Sequence, residues 1–243
     1  MAMKWKTVAF QELCRFVPFL LSVCIYFVLA PQSSCPLWVK AFFKCLPILF
    51  LCTYILTHEI NMYTHNKAQK LLAGLLFSAA GDIFRTTSPQ LYHLHGESMF
   101  GLAHVFYIWM FGTKPLNLLA GFFLVAVGTI YMLFLNRCLW DQKPFQWAAY
   151  IYITLIGTMA WRASAGTLFN QHWSCIKLFA TIGGMLFIVS DFTYAVSMYC
   201  FPLYNTGIIA ATYYTAQMFI TLSVVKTKNK VIKNQKKSNL PLS

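Results

Sequence analysis

Charge is scarce in this chain. Of its 243 residues only 10% are Asp, Glu, Lys or Arg, and only six are acidic, whereas a soluble domain carries about 25% charged residues. That shortage, with 58% hydrophobic residues and a mean hydropathy of +0.59, excludes an ordinary water-soluble fold and points to an integral membrane protein. None of the eight cysteines forms a CxxC pair, so neither a thioredoxin motif nor a cysteine zinc site is indicated. Cys14, Cys24, Cys35, Cys45, Cys52, Cys138, Cys175 and Cys200 lie mostly within or beside apolar segments and read as small buried side chains. G-x-S-x-G, HExxH and Gly-rich phosphate loops are absent too, which leaves no sign of serine, zinc or nucleotide chemistry. The net charge of +13 does not indicate nucleic acid, because the Lys and Arg are spread between apolar runs instead of sharing one face.

What the chain does have is apolar runs of membrane-spanning length, about 17–25 residues each. Eight candidates fit, near 16–31, 37–57, 70–86, 98–113, 115–136, 145–164, 175–199 and 206–225. Short polar separators such as HEINMYTHNK and CFPLYN divide them, as interfacial turns should. The basic N-terminus ahead of Phe16–Ala30 looks like a signal peptide's first region, but more apolar segments follow and the run reads as a retained first span. Spans three and four look short, so either they end below the headgroups or Lys70 and Arg85 snorkel to extend them. With both termini cytoplasmic, fourteen of the nineteen Lys and Arg fall on the inner side, as the positive-inside rule requires. Lys40, Lys44, Arg85, Arg137 and Lys143 fall outside. The expected fold is therefore all-α: an integral membrane helical bundle of about eight spans in one domain, 1–225. A basic cytoplasmic tail, 226–243, then lies against anionic headgroups.

Two aspartates break the apolar pattern, Asp82 in LLAGLLFSAAGDIF and Asp191 in IGGMLFIVSDFTYAV. A carboxylate at hydrocarbon depth costs roughly 2.5–3.5 kcal/mol or more, so it is kept for function or for a specific partner. Both spans run outward from a cytoplasmic lysine, Asp82 following Lys70 and Asp191 following Lys177. That places them at similar depths, roughly 18 and 21 Å along their helices. On the fourth span Phe100, His104 and Tyr107 share a helical face, and His104 reaches a comparable level. Three ionisable groups on three helices make a candidate polar pocket. The plainer alternative is that each aspartate hydrogen-bonds a neighbouring helix and serves packing. His93 and His95 have an H-x-H look, but without a third ligand no metal is assigned. His58, His65 and His172 are expected near water or headgroups, with Glu59 a solvated interfacial charge. Paired carboxylates in a desolvated site suit a general acid working beside a base or charge stabiliser.

The stretches FSAAGDIF, HLHGESMFGLAHVFYIWMFG and GGMLFIVSDFTYA resemble the eight-span lysoplasmalogenase (YhhN-type) family. KCLPI, IGTMAWRASAG, CFPLYN and ATYYTAQM are similar to its animal branch. The resemblance implies hydrolysis of the vinyl ether bond of lysoplasmalogens, giving a fatty aldehyde and glycerophosphocholine or glycerophosphoethanolamine, without a cofactor. It implies Asp82 and Asp191 as catalytic residues, with Gly81, Ser190, His104 and Tyr107 supporting them. Arg85, Phe100, Arg162 and Lys177 are expected on the substrate, the cations on its phosphate. Arg85 departs from the family pattern, which has an aliphatic residue there. The implied partner is a lysophospholipid within the bilayer, amid membrane lipids, and the implied compartment is the endoplasmic reticulum.

Two other classes compete. Intramembrane aspartyl proteases also use two aspartates, but their Gly-x-Gly-Asp motif fails here at Ala79, and their Pro-Ala-Leu segment is missing. A proton-coupled transporter or lipid-binding membrane protein could use the aspartates as a relay, yet the interrupted helices that often mark transporters are not evident.

Overall fold

The computed structural model describes residues 2–29, 35–58, 66–87, 93–140, 143–170, 174–202 and 207–238, with side chains placed for 15–29, 35–57, 66–87, 94–140, 145–170, 174–202 and 207–224. Among these residues the chain is all-α. The helices are α1 (Ala2–Leu29), α2 (Leu37–His58), α3 (Asn66–Thr87), α4 (His93–Phe111), α5 (Leu118–Cys138), α6 (Lys143–Ser164), α7 (Cys175–Ala195) and α8 (Gly207–Ser238). A π-helical turn, Val196–Cys200, prolongs α7, and Phe201 N–H closes it on the carbonyl of Val196 at 3.0 Å. Each expected span lies on one helix. Glu59, His65 and His172 lie outside the described residues, as do the side chains of His58 and His93.

The helices outrun the apolar windows wherever polar residues continue the helical backbone. The third and fourth spans looked short, yet α3 has 22 residues and α4 has 19, because Asn66–Gln69 and His93–Glu97 are helical without being apolar. α1 likewise begins at Ala2, and α8 carries the basic tail in helix as far as Ser238. Among the described residues four helices are long and apolar enough to cross a membrane, Leu37–Thr57, Leu118–Cys138, Cys175–Cys200 and Gly207–Val224, and Arg15–Leu29 of α1 is a shorter apolar stretch.

Apolar surface lies outside and polar groups lie inside, the arrangement of a helical membrane bundle. On α5, Phe122, Val125, Ile130 and Leu133 are each more than 60% exposed, whereas Ser78, Asp82, His104, Ser190, Asp191, Gln217 and Thr221 are buried. An apolar face of that size would aggregate in water.

The chain forms two compact units, Met1–Ile60 with Leu72–Ala103 and Asn61–Leu71 with His104–Ser243. In the first, α1 packs on α2, with the Phe16 and Tyr54 ring centroids 4.2 Å apart. In the second, α7 packs on both α6 and α8. Small residues set that approach. A Cβ on Gly183 would come within 2.8 Å of Ile220 Cγ1, and one on Gly184 within 3.0 Å of Ala163 Cβ. Close approach through small residues is how helices gain packing energy where lipid supplies no hydrophobic drive.

The cysteines are not uniformly the buried apolar residues expected. Cys45 and Cys52 are buried, but Cys138 and Cys200 form a disulfide joining the end of α5 to the π-helical turn after α7. Their separation of 62 residues hides the pairing in the sequence, because disulfide partners are set by spatial proximity.

Candidate functional site

In the first unit the centre is Asp82, 2% exposed on α3. Lys44 Nζ of α2 stands 3.2 Å from its Oδ1. Lys44, one of the charges expected on the outer side, turns to the buried carboxylate, so a buried charge gains a compensating partner. Beside it, Cys45 Sγ donates to the Ala79 carbonyl at 3.3 Å.

Gly81 exists to let α4 in. A Cβ there would lie 2.6 Å from Cδ2 of Phe100, a ring only 1% exposed. Gly96 does the same from the other side, since its Cβ would fall 3.0 Å from Cγ of Arg85. Arg85 was expected to snorkel or to meet a phosphate. It turns inward, with Nη2 2.9 Å from both carboxylate oxygens of Glu97 and its guanidinium carbon 4.0 Å from the Phe100 ring centroid. Phe100 therefore packs against both Gly81 and Arg85 of α3.

In the second unit the centre is Asp191, 5% exposed on α7. Tyr152 of α6 donates its hydroxyl hydrogen to Asp191 Oδ2 at 2.7 Å. His104 of α4, fully buried, brings Nε2 to 3.1 Å from the Tyr152 oxygen and 3.5 Å from Asp191 Oδ2. A phenol has one hydrogen. Because Tyr152 directs it to Asp191, Nε2 must be the donor in the His104–Tyr152 contact. The other ring nitrogen, Nδ1, is buried and meets no hydrogen-bonding partner among the described residues. The sequence placed His104 level with the aspartates, and here its side chain meets Asp191. The result is a buried carboxylate, phenol and imidazole whose polar atoms close a small triangle.

The remaining candidates in this unit support that cluster or lie away from it. Tyr107 is fully buried and donates to Oε1 of Gln217 on α8 at 2.8 Å, which directs its hydroxyl to α8. Ser190 donates to the Ile209 carbonyl at 3.0 Å, tying α7 to α8 beside Asp191. Arg162 sits at the far end of α6, where Nε donates to the Gly112 carbonyl at 2.7 Å and Nη2 to Pro115 at 3.1 Å. Lys177 packs its stem against Gly166, whose Cβ would lie 2.9 Å from Lys177 Cδ.

An apolar groove of about 380 Å³ runs between α5, α6 and α7, lined by Ile153, Ile156, Val189 and Phe192 among others. These residues neighbour Tyr152 and Asp191 in sequence. Among the described residues, no three His, Cys, Asp or Glu side chains gather as a metal site would require.

Sequence reasoning missed Lys44, Glu97, Tyr152 and Gln217. Lys44 carried a signal, being a cation inside the apolar helix Leu37–Thr57. Tyr152 carried none, as one of thirteen tyrosines with no local motif to mark it.

The chain is similar to proteins across its length. A Bos taurus protein named lysoplasmalogenase TMEM86A is 41% identical over 228 residues, covering 93% of this chain and 94% of that protein. Its Homo sapiens counterpart of the same name is 40% identical over the same shares. A Sus scrofa protein named lysoplasmalogenase TMEM86B is 32% identical, over 85% of this chain and 84% of that protein. No solved structure matches it. The model of the YhhN family matches residues 39–224, a stretch that holds the Lys44–Asp82 pair and the whole His104–Tyr152–Asp191 cluster, and this protein belongs to the YhhN family.

Proposed function

We propose that this protein is a lysoplasmalogenase, an ether hydrolase that cleaves the vinyl ether of alkenyl-glycerophosphocholine or alkenyl-glycerophosphoethanolamine. The names of its relatives support the substrate class. The observation that carries the chemistry is the buried triangle of His104, Tyr152 and Asp191.

A vinyl ether resists bases and nucleophiles. It opens when its β-carbon is protonated, leaving an oxocarbenium ion that water captures at the carbon bearing oxygen. The hemiacetal then gives up a proton and collapses, so substrate plus one water yields one aldehyde and one glycerol hydroxyl. Carbon protonation needs an acid in a dry site, and water capture needs a base able to take the proton back. Asp191 is the proton-carrying carboxyl of this proposal, and Tyr152 and His104 hold it in place. The open Nδ1 of His104 is an acceptor for the attacking water. Asp82 is the second acidic group, with Lys44 beside it. Substrate carbon would fill the apolar groove beside Ile153 and Phe192.

The same proposal sets the eight helices across a membrane with both termini cytoplasmic, in the endoplasmic reticulum. The disulfide supports that orientation independently of the charge count. Cys138 and Cys200 fall at the ends of α5 and α7 that the proposal places away from the cytosol, where disulfides persist.

Hydrolysis in deuterium oxide tests the reaction. Protonation at the β-carbon would leave one deuterium on the carbon next to the aldehyde. Aldehyde without that label would refute the step, and no aldehyde at all would refute the activity.

A further inference from the structure

Toward the other end of α7 from Asp191, the second unit holds a cavity of about 170 Å³ whose lining, among the described residues, includes Lys67, Lys114, Arg162 and Lys177 and no acidic residue. Lys67, Lys114 and Lys177 are exposed there, so solvent screens their repulsion, but four charges of one sign around one hollow still favour an anion. Arg162 gives a second sign. It is 8% exposed, two of its nitrogens hold the Gly112 and Pro115 carbonyls, and Nη1 is buried with no partner in the protein. A buried donor left unmade costs about 1–3 kcal/mol, more when charged. A volume near 170 Å³ equals about five or six waters at about 30 Å³ each. That suits a tetrahedral oxyanion and falls short of the roughly 300 Å³ at which pockets for drug-sized ligands begin.

We propose that this cavity is a second ligand site that takes a phosphate group, either on a lipid headgroup or free, and that it is separate from the reaction centre.

The separation follows from helix geometry and rests on the reading of Asp191 as that centre. Lys177 precedes Asp191 by fourteen residues on α7, about 21 Å along the axis. Gly112, which holds Arg162, follows His104 by eight residues, about 12 Å. Helical side chains lean toward the helix N-terminus, so Lys177 leans away from Asp191, and His104 leans away from Gly112. In a lysoplasmalogen six bonds part the vinyl carbon on oxygen from phosphorus, less than about 9 Å at about 1.5 Å each. One substrate molecule cannot react at Asp191 and place its phosphate here. Arg162 and Lys177, first assigned to the substrate's phosphate, belong to this other site.

Calorimetric titration of the purified full-length protein in detergent tests it. The titrants are inorganic phosphate, dioctanoyl phosphatidic acid and, as the phosphate-free lipid, dioctanoylglycerol. Binding of phosphatidic acid alone would assign a lipid phosphate, and binding of inorganic phosphate as well would assign a free one; either supports the site. The Lys67→Gln/Lys114→Gln variant should bind at least tenfold more weakly with an unchanged circular dichroism spectrum, while Lys40→Gln keeps wild-type binding. If the double variant does not fold, Lys114→Gln alone carries the same expectation. The proposal is overturned if neither phosphate probe binds, if dioctanoylglycerol binds as well as phosphatidic acid, or if the folded variant binds like wild type. It is also overturned if 1-alkyl-glycero-3-phosphocholine, which has no vinyl bond to hydrolyse, binds at one site per protein and that site is the one holding the phosphate probe, since the cavity would then serve the substrate's own headgroup. None of these readouts needs hydrolysis, so a failed activity assay leaves the binding result intact.

Discussion

Replacing Tyr152 with Phe removes one oxygen from a buried triangle of three groups and little else. The hydroxyl lies 3.1 Å from His104 Nε2 and 2.7 Å from Asp191 Oδ2, so its loss takes one partner from each neighbour. Removing one partner of a buried hydrogen bond costs about 1–3 kcal/mol. If Asp191 reacts only when held in place, that loss enters the barrier, and at about 1.4 kcal/mol per factor of ten kcat should fall by roughly 5- to 150-fold. Tyr152 touches Asp191 rather than substrate, so it is a positioning residue and KM should change by less than about threefold. The assay is steady-state aldehyde release in detergent from 1-alkenyl-glycero-3-phosphocholine, on protein whose melting temperature shows that it is folded. A kcat within twofold of wild type would refute the positioning role. A loss borne by KM alone would refute it equally.

Three more predictions concern the frame. Lys44→Gln removes the cation beside the Asp82 carboxylate; the pair lies between the surface and fully buried limits, so the loss should be about 2–3 kcal/mol. Adding Asp82→Asn should recover part of it in a double-mutant cycle of thermal unfolding. Gly81→Ala drives a methyl into the buried Phe100 ring, and overpacking of that kind costs about 1–3 kcal/mol; Phe100→Leu in the same chain should relieve it, again read as melting temperature. Cys138→Ser/Cys200→Ser opens a loop of 62 residues and should lower stability by about 2–4 kcal/mol, while mass spectrometry of wild type without reductant shows the linked peptides.

Architecture was legible because hydropathy and span length are properties of consecutive residues. Each expected span found its helix, and the errors fell at the ends, where polar Asn66–Gln69 and His93–Glu97 continue a helix without any apolar signal. Asp82, Asp191 and His104 stood out for the same local reason, being ionisable groups inside apolar runs. Their partners did not. Tyr152 reaches Asp191 across 39 residues, and Lys44 reaches Asp82 across 38. Such pairings arise from helix packing, and helix packing leaves no periodic trace in one sequence. Arg85 shows the converse. Its charge was plain, but Glu97 twelve residues later makes it an internal ion pair, and only the approach of α4 to α3 could reveal that. Arg162 and Lys177 were visible as cations near span ends; their distance from Asp191 became decisive only once α4 and α7 were continuous helices.

The central claim is that the family's two membrane aspartates carry vinyl ether hydrolysis in this chain. The direct measurement is aldehyde released from 1-alkenyl-glycero-3-phosphocholine by the purified protein, by Asp191→Asn and by Asp82→Asn, each shown to be folded. Wild type should release one aldehyde per substrate consumed, and each Asn variant should be slower by about 10²- to 10⁴-fold, the range for losing a general acid or base. A wild type that releases no aldehyde, or a folded Asn variant that keeps near-normal turnover, would contradict it.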